Sequence, residues 1–364
     1  MTNSYGFAPK SIAVVLGTRP EIIKLAHIIR LLGDAALVFH TGQHYDPKLS
    51  GSFFPEMGLE EPEIFLEVGG LTRGAQIGIA TQKIDHLFGE RRPQAVVVQG
   101  DTNSVLAGAV AGNAREVAIC HIEAGLRSFD RAMPEEHNRV LTDHLADLCC
   151  APTDVNVENL ANESITGERV VLTGNTIVEA VTELLASEDE QAEMAAAHGV
   201  EPGRFVLSTF HRPENVDNPE NYRTILEQLA ALELPVVLPL HPRSVKRAEE
   251  HGLGGLLAKL RVVEPIGYRE FLGLEAAAAL LVSDSGGVQE EASIVKTPLV
   301  VVRNSTERPE VIGTFATRVG PGREIGTAAA EMLGRDLTDH TTPYGDGSAS
   351  RRSLEALANL VQGR

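Results

Sequence analysis

The chain has 364 residues, 43% of them apolar and 23% charged, with a formal net charge of -18. That length exceeds one core of ordinary size and predicts two domains, while the acidic balance excludes a nucleic-acid surface of the usual basic kind. The longest uninterrupted apolar run, Ala276–Val282, falls far short of the roughly 18 residues that span a bilayer, so no membrane partner is expected.

Short β-branched runs alternate with helical stretches, which predicts parallel α/β domains. One early lysine, Lys10, precedes the first strand without the pattern of a secretory signal, so a cytoplasmic setting is expected. Strands are predicted at SIAVVLG, AALVFHTG, QAVVVQG, VAICHIEAG, LCCAPT and RVVLTGN, each ending in a polar or glycine-bearing turn. A helical stretch from Ile177 to Gly199 follows, and its acidic run SEDEQAEM reads as a solvated face near a hinge. A second series contains RFVLSTF, PVVLPL, LRVVEP, ALLVSDSGG and PLVVVRN. The expected domains are residues 1–176 and 177–349, each a doubly wound parallel sheet, with a cleft between facing strand ends. The last helix, within residues 350–364, can pack on either domain, and the first is preferred. Cys120, Cys149 and Cys150 lie in these apolar runs and read as buried thiols, not as a disulfide or metal framework.

Ligands of doubly wound sheets bind beyond the carboxyl ends of the strands. The residues expected there are Arg19, Lys24, His44, Asp101, Glu123, Arg127 and 174–176 in the first half. In the second half they are His211, Arg212, Glu214, His241, Arg243, Ser285, Gly286, Gly287, Glu290, Glu291 and 303–310. Ordinary turns are rich in Gly, Asn, Asp and Ser; these are loaded with Arg, His and Glu. His144, Asp143 and Asp147 read instead as surface or packing residues. The chain contains no Gly-Lys dipeptide, no G-x-G-x-x-G after a strand, and no H-E-x-x-H, D-x-D or paired C-x-x-C. No cofactor and no metal are therefore expected.

Two turns suit an anion. In VLGTRPEIIK a strand ends at Gly17 and Pro20 suits a helix start, which puts Arg19 at the positive helix end and Lys24 a turn along. In SDSGGVQEE the amides of Ser285, Gly286 and Gly287 open a helix where small residues permit close approach. Glu290 and Glu291 lie about one helical turn, roughly 5–6 Å, further on. Amides for phosphates and a carboxylate for a ribose diol together describe a nucleoside diphosphate, with Glu291, at i+4 from Gly287, as the ribose contact.

The motifs GTRPEIIK, TGQHYD, QGDTNS, HIEAGLRSFDRAMPEEHNRVLTDH, TGNT, HRPENVD, HPR, DSGGVQEEA and RNSTERPE stand in the order seen in the non-hydrolysing UDP-N-acetylglucosamine 2-epimerases. The chain resembles that family from about Ser11 to Gly320. The resemblance implies a GT-B fold of two Rossmann-like domains and interconversion of UDP-N-acetylglucosamine and UDP-N-acetylmannosamine. It further implies no metal or nicotinamide, UDP-sugar and UDP as ligands, and a homodimer. It implies diphosphate contacts from Arg19, His211 and Ser285–Gly287, and a ribose contact from Glu291. Asp101, Glu123 and Glu135 match the family's catalytic acids and Lys24 its active-site lysine. Arg139 and Arg308 fall in matching motifs, and Phe271 aligns with a residue near the uracil. Gln43, Arg212 and His241 match parts of an activator site for a second UDP-sugar. The chain departs from the family pattern at Asp46, where glutamine is common, and at Pro213, where Arg or Ala is usual.

The chemistry implied is elimination. C2 loses its proton as C1 expels UDP, giving a 2-acetamidoglucal, and UDP adds back while C2 is protonated on the other face. Leaving UDP needs positive charge on its phosphates, and the proton needs two acid/base groups, for which Asp101, Glu123 and Glu135 are suited. Three alternatives stay open: a hydrolysing epimerase, a GT-B glycosyltransferase, and a non-enzymatic UDP-sugar sensor.

Overall fold

The structure, a computed structural model, describes residues 2–43, 53–321 and 324–363. His44 and Asp46 lie outside the described residues. The chain forms two compact units, Met1–Ala180 with Tyr344–Arg364, and Val181–Pro343.

The first unit is built on seven parallel strands: β1 (Ile12–Leu16), β2 (Ala36–His40), β3 (Ile64–Phe65), β4 (Ala95–Gln99), β5 (Ala118–Ile122), β6 (Leu148–Ala151) and β7 (Val170–Leu172). Their order is β3-β2-β1-β4-β5-β6-β7. β1, β4 and β5 are buried at every position, which is why they read as mostly apolar runs rather than an alternation, with Gln99 and His121 as the polar exceptions. The helix Asn103–Ala114 approaches this sheet on glycines. A Cβ at Gly112 would lie 2.8 Å from Val96 Cγ1, and one at Gly108 would lie 2.9 Å from Val98 Cγ1. At Gly17, just past β1, a Cβ would fall 2.0 Å from Thr41 Oγ1 and 2.2 Å from Ser104 Oγ, so only glycine fits. The helix Ala349–Gln362 belongs to this unit. The Ser350 N–H and Oγ donate to the Glu179 carboxylate at 2.9 and 2.5 Å.

The second unit has six parallel strands, β8 (Val206–Thr209), β9 (Val236–Pro239), β10 (Arg261–Val263), β11 (Leu280–Ser283), β12 (Leu299–Val302) and β13 (Ala316–Val319). Their order is β10-β9-β8-β11-β12-β13. Tyr222, Leu226, Leu238, Val282, Val300 and Met332 pack in its core. In both sheets the order reverses beside the first strand, between β1 and β4 and between β8 and β11, which is where doubly wound sheets open a crevice.

Three details differ from expectation. The strands β3 and β13 carry no apolar run: β3 has two residues, and β13 is a half-exposed edge strand, ATRV. The stretch from Ile177 to Gly199 is two helices, Ile177–Leu184 and Glu188–Ala197, the second opened by a capping box between Ser187 and Glu190. The units divide after Ala180, inside the first of these helices, and the chain returns at Tyr344. Among the described residues no helix is long and apolar enough to cross a membrane.

Candidate functional site

Each unit gathers polar residues at its own switch point. In the first, the helix Arg19–Leu32 starts directly after the Gly17-Thr18 turn. Glu21 folds back on that turn and accepts the Gly17 N–H at 3.0 Å and the Thr18 Oγ1–H at 2.8 Å. Its second oxygen accepts Thr102 Oγ1 at 2.9 Å, tying the turn after β1 to the turn after β4. The turn is thus filled by a carboxylate of the chain itself, and the neighbouring Arg19 side chain is half-buried. Burial pushes the Glu21 carboxyl from 4.5 up to about 7, against its four hydrogen bonds.

Lys24 and Glu123, both over nine-tenths buried, form an ion pair. Gln99 Nε2 donates to the same Glu123 oxygen at 2.7 Å. Glu123 stands just past β5 with φ 68°, a left-handed conformation that costs a non-glycine residue energy and recurs at functional positions. Asp101, past β4, pairs with the buried Arg139, which also pairs with Glu136. The Asp101 carbonyl accepts from Asn138 Nδ2 at 2.9 Å, and the Asp101 side chain keeps 28% of its surface. Glu136 accepts the Ser128 and Phe129 N–H groups at 3.0 and 2.8 Å, so it shapes the loop before its helix. Glu135 is exposed on the first turn of that helix, Pro134–Leu145. Asp101, Glu123 and Lys24 therefore converge on the ends of adjoining strands, each acid with its own cation.

A buried chain of charges runs beneath them. His121 Nδ1 lies 2.6 Å from Asp143, and its Nε2 lies 2.8 Å from the Gly100 carbonyl, the residue before Asp101. Asp143 also accepts from Arg127 at 2.7 Å and from the Gly125 N–H at 3.1 Å, and Arg127 continues to Glu163 at 2.7 Å. Asp143 is wholly buried, not on the surface. Burial alone would raise its pKa, but His121 and Arg127 outweigh that and hold it low. Of its neighbours, His144 is half-exposed and Asp147 accepts the Ile119 N–H at 2.8 Å. The signal for Asp143 was present at helical spacing: Glu136, Arg139 and Asp143, at i, i+3 and i+7, form one polar face that is entirely buried.

In the second unit the helix Gly286–Val295 opens after Ser285. The Ser285 N–H is already taken by Ser283 Oγ at 3.0 Å, which leaves Gly286 and Gly287 as the first amides without an intrahelical acceptor. A Cβ at Gly286 would lie 2.7 Å from Arg308 Nη1, so this guanidinium seats against the glycine. Arg308 donates to Glu290 at 2.6 Å and pairs with Glu307, which also binds Arg303 at 2.7 Å. Glu290 is fully buried in that network. The carboxylate of Glu291 lies 3.8 Å from the position of a Gly287 Cβ and accepts from Tyr268 Oη at 2.7 Å. Phe271 is half-buried one turn after Tyr268.

Asp284, between β11 and the serine-glycine turn, is the hub that the motif reading missed. It accepts the N–H groups of His211 and Arg212 at 3.2 and 3.0 Å and Asn215 Nδ2 at 3.0 Å. It also holds His211 Nδ1 at 3.0 Å, while the His211 side chain stays 59% exposed. Gln43, Arg212 and His241 each have a partner inside their own unit. Gln43 Oε1 accepts the Ser104 N–H at 3.1 Å, Arg212 Nε donates to the Asp284 carbonyl at 3.1 Å, and His241 Nδ1 caps the helix Pro242–Glu250 at the Arg243 N–H, 3.2 Å away. Among the described residues no group of three or more His, Cys, Asp or Glu is placed to hold a metal ion.

Two Rossmann-like parallel sheets, one with an acid-rich switch point and one with a glycine turn and buried glutamate, define a two-domain, doubly wound α/β protein. The family model described as UDP-N-acetylglucosamine 2-epimerase matches residues 34–358. A UDP-N-acetylglucosamine 2-epimerase of Methanocaldococcus jannaschii is 40% identical, over 95% of this chain and 98% of its own. The crystal structure of the Methanocaldococcus jannaschii enzyme in complex with UDP-GlcNAc and UDP superposes with a TM-score of 0.88 at 39% identity, covering 96% of this chain and 99% of that one. A UDP-2,3-diacetamido-2,3-dideoxy-D-glucuronate 2-epimerase of Pseudomonas aeruginosa is 37% identical, over 96% of this chain and 99% of its own. The chain belongs to the UDP-N-acetylglucosamine 2-epimerase family.

Proposed function

We propose that the protein reversibly epimerises UDP-N-acetylglucosamine at C2 to UDP-N-acetylmannosamine. The observation that carries this reading is the pair Asp101 and Glu123, acids at the ends of adjacent strands, each with its own buried cation. In the proposed reaction one carboxylate takes the C2 proton. The C–H electron pair becomes the C1–C2 double bond as the C1–O pair leaves with UDP. UDP then re-adds to C1 and a second acid returns a proton to the opposite face of C2. Asp101, Glu123 and Glu135 supply these groups, with Lys24 and Arg139 setting their charge. The second unit holds the nucleotide. Gly286, Gly287, His211 and Arg308 face the diphosphate, while Glu291 takes the ribose and Phe271 the base. No protein cofactor is invoked.

The test is turnover of UDP-N-acetylglucosamine in D₂O, where product deuterated at C2 is expected and retention of the original hydrogen sinks the mechanism. The 37% identity to the Pseudomonas aeruginosa enzyme favours one second reading, a UDP-2,3-diacetamido uronate as substrate. Assaying both sugars side by side decides it by kcat/KM. Three free, buried cysteines support a cytoplasmic setting. The family resemblance supports a homodimer, which sedimentation measures.

A further inference from the structure

Glu275 lies in the helix Tyr268–Ala277 and has no exposed surface. Neither of its carboxyl oxygens has a hydrogen-bond donor, although Thr297 Oγ1 fixes its main-chain carbonyl at 2.8 Å. The group it meets is the carboxyl of Glu291, on the helix packed against its own. Two ionised carboxylates cannot share a dry contact of this kind, because both only accept hydrogen bonds and each repels the other. One proton removes both difficulties. Its location follows from the donors: Glu291 has Tyr268 Oη at 2.7 Å to support a negative charge, and Glu275 has none.

We infer that Glu275 is kept as a neutral acid whose proton is donated to Glu291, and that it acts as a positioning residue for the carboxylate that takes the ribose. This rests on the nucleotide reading of Glu291 given above and deepens it. Burial first, and the neighbouring Glu291 second, drive the Glu275 carboxyl well above the usual carboxylate range. The other charged groups around this helix are engaged elsewhere: Arg269 binds Glu190 at 2.7 Å and Glu270 binds His198 at 2.8 Å. Tyr268 and Glu275 thus grip Glu291 from the same helix, at its first residue and about two turns along, and fix its plane before ligand arrives.

The experiment compares Glu275→Gln, which keeps a neutral donor, with Glu275→Met, which keeps the volume without one. Binding of UDP and of 2′,3′-dideoxy-UDP is measured to each by calorimetry, and the carboxyl region of the infrared spectrum is recorded in H₂O and D₂O. The wild-type spectrum minus that of Glu275→Gln should show the carbonyl stretch of a protonated carboxyl group at neutral pH, a subtraction that removes the band of Glu21, itself raised to about 7. Glu275→Gln should bind UDP within about 2-fold of wild type, while Glu275→Met should bind it about 10-fold more weakly, the scale of one charge-assisted hydrogen bond. Dideoxy-UDP should bind wild type and both variants alike. Equal UDP affinity for all three proteins, equal loss in both variants, loss of dideoxy-UDP together with UDP, or the absence of the protonated band each overturns the inference. Failure of the wild type to bind UDP at all strikes the nucleotide reading instead, while the infrared band still reports on the shared proton.

Discussion

Asp284, wholly buried, holds the Nδ1 of the exposed His211 at 3.0 Å and the backbone of the same loop at 3.0–3.2 Å. A proton on Nδ1 directs the other ring nitrogen outward. Burial would raise the pKa of Asp284, but His211, Asn215 and the Arg212 N–H outweigh it and hold the group below its ordinary value. A depressed carboxyl contributes stability that is present above its unfolded pKa, about 4, and is lost as pH falls through its folded value. Asp284→Ala should therefore cost about 3–5 kcal/mol at pH 7, the scale of breaking a buried charged network. Urea melts at stepped pH should show the gap between wild type and Asp284→Asn closing below about pH 4.

Glu21 carries the opposite sign. Its folded pKa is raised to about 7 from 4.5, mainly by burial. Its contribution is fully present below pH 4.5 and is lost as pH rises through about 7. Wild type should thus lose up to about 3 kcal/mol relative to Glu21→Gln across that window. Denaturant midpoints of the two proteins, measured from pH 4 to 8, check it. A constant difference would mean that Glu21 titrates alike in the folded and unfolded chain.

Glu291→Ala should weaken UDP binding by about 1.5–3 kcal/mol, as a charged hydrogen bond is removed from the site. Calorimetry reads this directly. Unchanged affinity would place the ribose on another group.

UDP should raise the thermal midpoint because it binds the folded chain and not the unfolded one, and GDP should do so far less. Equal shifts from both nucleotides contradict a uridine site near Phe271.

For the proton itself, Asp101→Asn, Glu123→Gln and Glu135→Gln should each slow turnover by about 10²–10⁴-fold. UDP affinity should hold, since the proposed ribose contact and most of the phosphate contacts lie on other residues. C2 deuterium uptake in D₂O should fall in step with the rate. Among the three, Glu135 is the exposed one, with neither the buried cation of Glu123 nor that of Asp101. A variant at Glu135 with full activity would leave the proton traffic to the other two.

The layered, parallel organisation was written in the chain order of apolar runs. Strands such as IAVVL and LVVV are buried on both faces, so apolar residues fill them, and the turns after them stand out by contrast. Gly17, Pro20 and the Ser285-Gly286-Gly287 turn were legible for the same local reason, since each answers a need of its own backbone. Pairing was not local and was not legible. Lys24 meets Glu123 across 99 residues, Arg139 meets Asp101 across 38 and Glu179 meets Ser350 across 171. Those partners are chosen by strand order, which sets β4 between β1 and β5 and brings their ends together whatever the sequence distance. The same holds for Glu21, whose carboxylate fills a turn that looked open, and for Glu275, whose proton is required only because folding buries it against Glu291. Local chemistry determined the elements and the kinds of residue at their ends; the tertiary structure decided which charges meet, because burial and opposition between groups exist only once the sheets have formed.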